Sequence, residues 1–176
     1  MANLSRFSRS GRAGHDQPAG LSPVETLVQR LDLPPQPSLE DLSHVVERLY
    51  GRPLKFKEIS GSGLQVTTGV VFDAPTFTGV MVPAEDSPYY SLLSRVHELC
   101  HLVVRSAPNA WFSVDMPRPR QPEQHSRLFL RICPRNSNEA VDAETVREEV
   151  LVEDMARALM RRLGAFQDST EEDHFA

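Results

Sequence analysis

Cysteine is scarce in this 176-residue chain, which has only Cys100 and Cys133. Two thiols are too few for a disulfide framework or for a metal site built from cysteine alone, so both are read as reduced. Long apolar runs are also missing. The longest are short pieces such as Val70–Phe72 and Val80–Val82, far below the roughly 18 consecutive apolar residues that a membrane helix needs. Arg6, Arg9 and Arg12 are followed by Gly, Asp, Gln and Pro rather than by an apolar segment, which predicts no secretory signal and a cytoplasmic protein. Nor is there an excess of positive charge: the formal net charge of -5 gives no general reason to bind nucleic acid or an anionic membrane, and neither is expected as a direct partner. What remains is a chain with 40% hydrophobic and 24% charged residues, a composition and length that predict one globular domain.

Residues 1–20 are rich in Ser, Arg and Gly without an apolar period, and so are expected to be a disordered tail. The domain is expected over 21–165, followed by an acidic tail over 166–176. Within the domain, Ser22 and Pro23 precede Val24, Leu27, Val28 and Leu31 at helical spacing. Ser38 opens a second helix on Leu39, Leu42, Val45, Val46 and Leu49, stopped by Gly51 and Pro53. Between Leu54 and Pro83, β-branched and aromatic residues alternate with Gly-Ser-Gly and Asp-Ala-Pro breakers, predicting three or four short antiparallel strands. Pro88 then opens a buried helix ending near Ser106 to Pro108. Five prolines between Ser106 and Asn138 predict a long loop with at most one short element around Leu128 to Ile132. Asp142 is the expected cap of a last helix running to Leu163 or Gly164. The fold class is therefore α+β.

Inside the buried helix lies His97-Glu98-Leu99-Cys100-His101, an HExxH string. Residues four apart lie one turn above each other on a helix, so both imidazoles can point a nitrogen at one metal ion, and neutral imidazole suits Zn²⁺. Glu98 sits about 100° round the helix, beside the metal. There it can take a proton from water and pass it to a leaving amine, as general base and then general acid in metal-assisted hydrolysis.

A zinc site with an open catalytic position needs a third protein ligand. In the last helix Val152, Met155, Ala156, Leu159, Met160 and Leu163 form the core stripe, with Glu144 and Glu153 leaning toward the outer faces. Glu148 and Glu149 both flank the stripe. Periodicity narrows the ligand to these two and does not choose between them.

HELCH on a buried helix, a small sheet before it and the string Glu149-Val150-Leu151-Val152-Glu153-Asp154-Met155-Ala156-Arg157-Ala158-Leu159-Met160 after it resemble the ImmA/IrrE metallopeptidases. The third-ligand helix of that family reads approximately E-x-x-(A/C)-x-x-(F/hydrophobic)-A-x-x-L-L. Glu149, Val152, Met155, Ala156, Leu159 and Met160 fall on those positions in order. The resemblance covers roughly residues 39–163 and makes Glu149 the preferred ligand, completing a metal set of His97, His101 and Glu149 with Glu98 as the catalytic residue. It implies a zincin-like core with one zinc ion, and a sheet strand near Val80–Val82 that aligns the substrate backbone. It also implies a substrate that is a regulatory protein, a repressor or antitoxin-like DNA-binding partner attacked in trans. The chain departs from the family pattern at Cys100, where a small residue is usual, at Val152, and at Arg161-Arg162, where the family has Pro.

Four further features carry a bland reading beside the functional one. Cys100 is either a thiolate near the metal or a small core residue, the latter expected. His15, His44, His125 and His174 lie in unrelated contexts. Tyr89 and Tyr90 can polarise a carbonyl only if they reach over the metal, and are expected to pack. Arg118, Arg120, Arg127, Arg131 and Arg135 make the middle segment locally basic and could meet DNA phosphates or an acidic partner surface, but are expected on a solvated loop. The rival to the enzyme is a non-catalytic module in which zinc joins two helices and the surface sequesters a regulatory protein; it shares the ligands but does not need Glu98.

Overall fold

Each of the first three helices begins on a serine. The computed structural model describes residues 21–61, 67–112, 116, 130–134 and 143–165. In α1 (Pro23–Arg30) the Ser22 hydroxyl accepts from the Glu25 amide at 3.1 Å while the Ser22 amide donates to the Glu25 carboxylate at 2.8 Å, a reciprocal box that satisfies two otherwise orphaned donors. Ser38 and Asp41 repeat the device at the start of α2 (Leu39–Tyr50), which ends on Gly51 at φ 76°, a left-handed position that glycine occupies without a Cβ penalty. Ser87 caps α3 (Pro88–Ser106), with Pro88 in the first turn where a missing amide proton costs nothing. α4 spans Ala143–Arg162; Asp142, its expected cap, lies outside the described residues, as do both expected tails.

Four strands form one sheet in the order β1-β3-β2-β4: β1 (Leu54–Ile59), β2 (Thr67–Asp73), β3 (Thr78–Pro83) and β4 (Leu130–Pro134). β2 is antiparallel to β3, with Val71 opposite Val80, and antiparallel to β4, with Val70 opposite Ile132. β1 and β3, however, run parallel, Leu54 beside Thr78 and Phe56 beside Val80, so the sheet is mixed and the expected all-antiparallel arrangement is corrected. The chain reverses between β2 and β3 in a tight turn, closed by the Ala74 amide donating to the Phe77 carbonyl at 2.9 Å, and β3 enters between β1 and β2 instead of adding at an edge. Apolar alternation reports which face is buried, not the direction of the neighbour, so it carried no signal for this insertion.

The same topology corrects a second expectation. β3, the strand of Val80 and Val82, is flanked by β1 and β2, an inner position rather than a sheet edge on which a peptide could add as a further strand. The outer strands are β1 and β4. β4 falls inside the expected long loop, near the one short element anticipated there; Leu64 and Val66 lie outside the described residues.

α3 packs against the β2–β3 part of the sheet and against α2 and α4, while α1 lies on α4. Leu42, Val46, Val71, Val80, Leu99, Leu102, Met155 and Leu159 are fully buried in this common core. The expected α4 stripe is buried from Val152 to Met160, with Leu163 partly so. Arg162 sends its guanidinium to the carbonyls of Leu33 and Pro34 at 3.1 and 3.2 Å, which ties the end of α4 to the α1–α2 connection. Among the described residues no helix is long and apolar enough to cross a membrane.

Candidate metal centre

Val96 to Val104 of α3 are buried without a break, so the two histidines and Glu98 sit in the interior of the domain rather than on a polar face. His97 and His101 meet edge to face from successive turns, with ring centroids 4.8 Å apart and planes at 78°. Their Nε2 atoms approach to 3.2 Å. α4 crosses beside them and places Glu149 Oε2 at 3.6 Å from His97 Nε2 and 3.4 Å from His101 Nε2. His97, His101 and Glu149 thus form a group that could hold a metal ion. The spacing fits one: ligands about 2.0–2.1 Å from a tetrahedral divalent ion stand about 3.4 Å apart. Two imidazoles and one carboxylate leave a fourth coordination position for water or substrate.

The two carboxylates that periodicity left open occupy different places. Glu149 faces the two Nε2 atoms, whereas Glu148 Oε1 lies 3.4 Å from His101 Nδ1, on the far edge of that ring. Glu153 was expected on an outer face. Instead its Oε2 lies 3.4 Å from His97 Nδ1, and its other oxygen accepts from Arg157 Nη2 at 3.0 Å. The sequence carries a signal for this, since Glu153 follows Glu149 by four residues and so shares its face; distance from the apolar stripe alone does not reveal it.

Glu98 is completely buried, lying between α3 and β2. Gly69 of β2 runs directly over it: a Cβ at that position would stand 2.7 Å from Glu98 Oε1 and 2.8 Å from its Cγ. Glycine is therefore needed here for close approach of the backbone. Burial is the largest single influence on His97 and pulls its pKa down; the hydrogen bond with Glu149 and the negative charges of Glu98, Glu149 and Glu153 together outweigh it, so His97 titrates above the ordinary histidine value.

Cys100 is fully buried in the core. Burial pushes its thiol well up, and the charges of Glu153 and Glu98 push it further, which keeps it protonated and disfavours the thiolate reading. Tyr89 and Tyr90 form an edge-to-face pair at 5.4 Å; Tyr89 packs on the core and Tyr90 is exposed. His44 is exposed on α2. The other expected histidines and Arg118, Arg120, Arg127 and Arg135 lie outside the described residues, as does the side chain of Arg131. Comparison of the chain with known protein families, with curated proteins and with solved structures found no match.

Proposed function

We propose that the protein is a zinc-dependent metallopeptidase with a zincin-like core, of the ImmA/IrrE type that its sequence resembles. The observation that carries this reading is the convergence of His97 Nε2, His101 Nε2 and Glu149 Oε2 to mutual distances of 3.2–3.6 Å, with the Glu98 carboxylate next in sequence to a ligand. His97, His101 and Glu149 would hold the ion. When bound, zinc supplies Lewis-acid polarisation of the scissile carbonyl and makes water acidic enough to attack near neutral pH. Glu98 accepts the proton of the attacking water and delivers it to the leaving amine. Its buried setting under Gly69 excludes bulk water and raises the strength of every electrostatic contact made there. The proposed substrate is a regulatory protein with a DNA-binding function, cleaved in trans; this part rests on the resemblance.

One observation favours the rival module: Glu98 is wholly enclosed between α3 and β2, where a carboxylate with only a packing role would also be found. Glu98→Gln separates the two readings. Glutamine keeps size and polarity but cannot accept the proton, so zinc content and fold should persist while cleavage falls by about 10²–10⁴, the usual worth of general acid–base catalysis. The assay is co-expression with DNA-binding regulators encoded beside the gene, scored for a cut partner. Equal relief of repression by parent and variant, with no cleavage by either, supports the module.

A further inference from the structure

Two nitrogens of the histidine pair remain unexplained by metal ligation. If Nε2 of each ring is to offer a lone pair to the ion, the proton of each neutral imidazole must sit on Nδ1. An Nδ1 proton buried in an apolar helix needs an acceptor, and without one the ring can turn or shift its proton to Nε2, where it would block the ion. The structure supplies one carboxylate to each: Glu153 Oε2 at 3.4 Å from His97 Nδ1 and Glu148 Oε1 at 3.4 Å from His101 Nδ1.

We propose that Glu148 and Glu153 are positioning residues of the metal centre, each accepting the Nδ1 proton of one histidine and so directing both Nε2 lone pairs onto the same point. Glu149 stands between them on the same helix, which means that α4 supplies the third ligand and both orienting groups from little more than one turn. The helix period makes this possible. Residues at i and i+4 share a face, so Glu149 and Glu153 both look toward α3, and Glu148 reaches round the flank to the second ring. Arg157 reinforces the arrangement by holding the other oxygen of Glu153 at 3.0 Å, which limits the rotation of that carboxylate. Both Nδ1 contacts are at ion-pair distance, beyond the roughly 2.7–3.2 Å of an N–H···O hydrogen bond, and the proposal requires them to tighten into hydrogen bonds when the ion draws the rings into place.

The inference rests on the metal-centre part of the proposed function and is independent of peptide cleavage. It is tested on the full chain loaded with zinc, using Glu148→Ala, Glu153→Ala and, as a charge control on the same helix, Glu144→Gln. Zinc affinity is read by competition with a chelator, imidazole tautomers by nitrogen-15 NMR, and folding by circular dichroism. Each alanine variant should stay helical and lose about 10–100-fold in zinc affinity. The NMR should show a matched pattern: Glu153→Ala disturbs the Nδ1 proton of His97 alone, and Glu148→Ala that of His101 alone. Glutamine at either site should restore the tautomer through its carbonyl oxygen. The proposal is overturned if both alanine variants match the control in affinity and keep the parental tautomers. Loss of all zinc by Glu148→Ala with retention by Glu149→Ala would overturn it too, because Glu148 would then be a ligand. A parent chain that takes up no zinc overturns it together with the metal centre, whereas a parent that binds zinc but cuts nothing leaves it standing.

Discussion

Helix α3 carries His97, Glu98 and His101 inside a stretch, Val96 to Val104, that is buried throughout, whereas α4 delivers Glu148, Glu149 and Glu153 on side chains 16%, 37% and 38% exposed. The first helix places its polar groups where they are costly unless partnered. The second places its charges where water still reaches them and where their attraction for the histidines is partly screened. A cation between the two helices would resolve both conditions, compensating the buried groups of α3 and fixing the looser carboxylates of α4. On the proposed reading, α3 is set by packing and α4 would be locked by the ion.

Removing the metal should have the largest effect on that contrast. A ligand bound only by the folded state, at about a thousandfold excess over its Kd, stabilises by about 4 kcal/mol, so chelation should lower the melting temperature by on the order of 10 °C. His97→Ala should melt at one temperature with or without chelator. The measurement is differential scanning calorimetry of both proteins with zinc and with chelator. Hydrogen exchange should show protection lost mainly in the early turns of α4 and little changed in α3; equal loosening of both helices would contradict the division of labour.

The next effect is smaller and touches α3 from the sheet side. Gly69→Ala places a methyl 2.7 Å from Glu98 Oε1, and overpacking of this kind costs about 1–3 kcal/mol. Because His97, His101 and Glu149 are not touched, zinc affinity should change little. Urea denaturation with chelator titration checks the two parts: unchanged stability would mean that Glu98 has room to move, and a large loss of zinc would mean that the ligands lean on the sheet.

How much of this was legible in the sequence differs between the same two helices. The extent of α3, its burial and the face shared by His97 and His101 follow from a spacing that has one physical solution. In α4 the stripe from Val152 to Met160 is legible for the same reason, but a carboxylate at the edge of a stripe can point either way, so Glu148 and Glu149 differ only by contacts with another helix. For Glu153 the stripe misleads in the opposite sense, because distance from an apolar stripe does not mean solvent when another helix lies beside it. The parallel pairing of β1 with β3 is invisible to local pattern because the insertion of β3 between earlier strands is a nonlocal choice. Gly69 gave no signal, since one glycine in a strand does not say what lies across from it.

The smallest expected effect is on pH dependence, and its sign reverses with loading. In the metal-free protein the pKa of His97 is raised above its unfolded value. It therefore contributes stability that is fully present below the unfolded histidine pKa, about 6.5, and is lost as pH rises through the higher folded value. With zinc bound the histidine must be deprotonated, so protons compete with the ion and stability should fall as pH is lowered through the same window. Melting curves from pH 8 to pH 6 should thus rise for the chelated protein and drop for the loaded one; parallel curves would show that His97 is not a ligand.

Whether α3 and α4 meet around one ion held by His97, His101 and Glu149 is decided by metal analysis combined with X-ray absorption on the parent, His101→Ala and Glu149→Ala. About one zinc per parent chain is expected, with a first shell of nitrogen and oxygen at about 2.0–2.1 Å, two imidazoles and no sulfur, and loss of stable zinc from both variants. A parent that remains metal-free after incubation with zinc, or a Glu149→Ala protein that keeps the parental stoichiometry and spectrum, would contradict it.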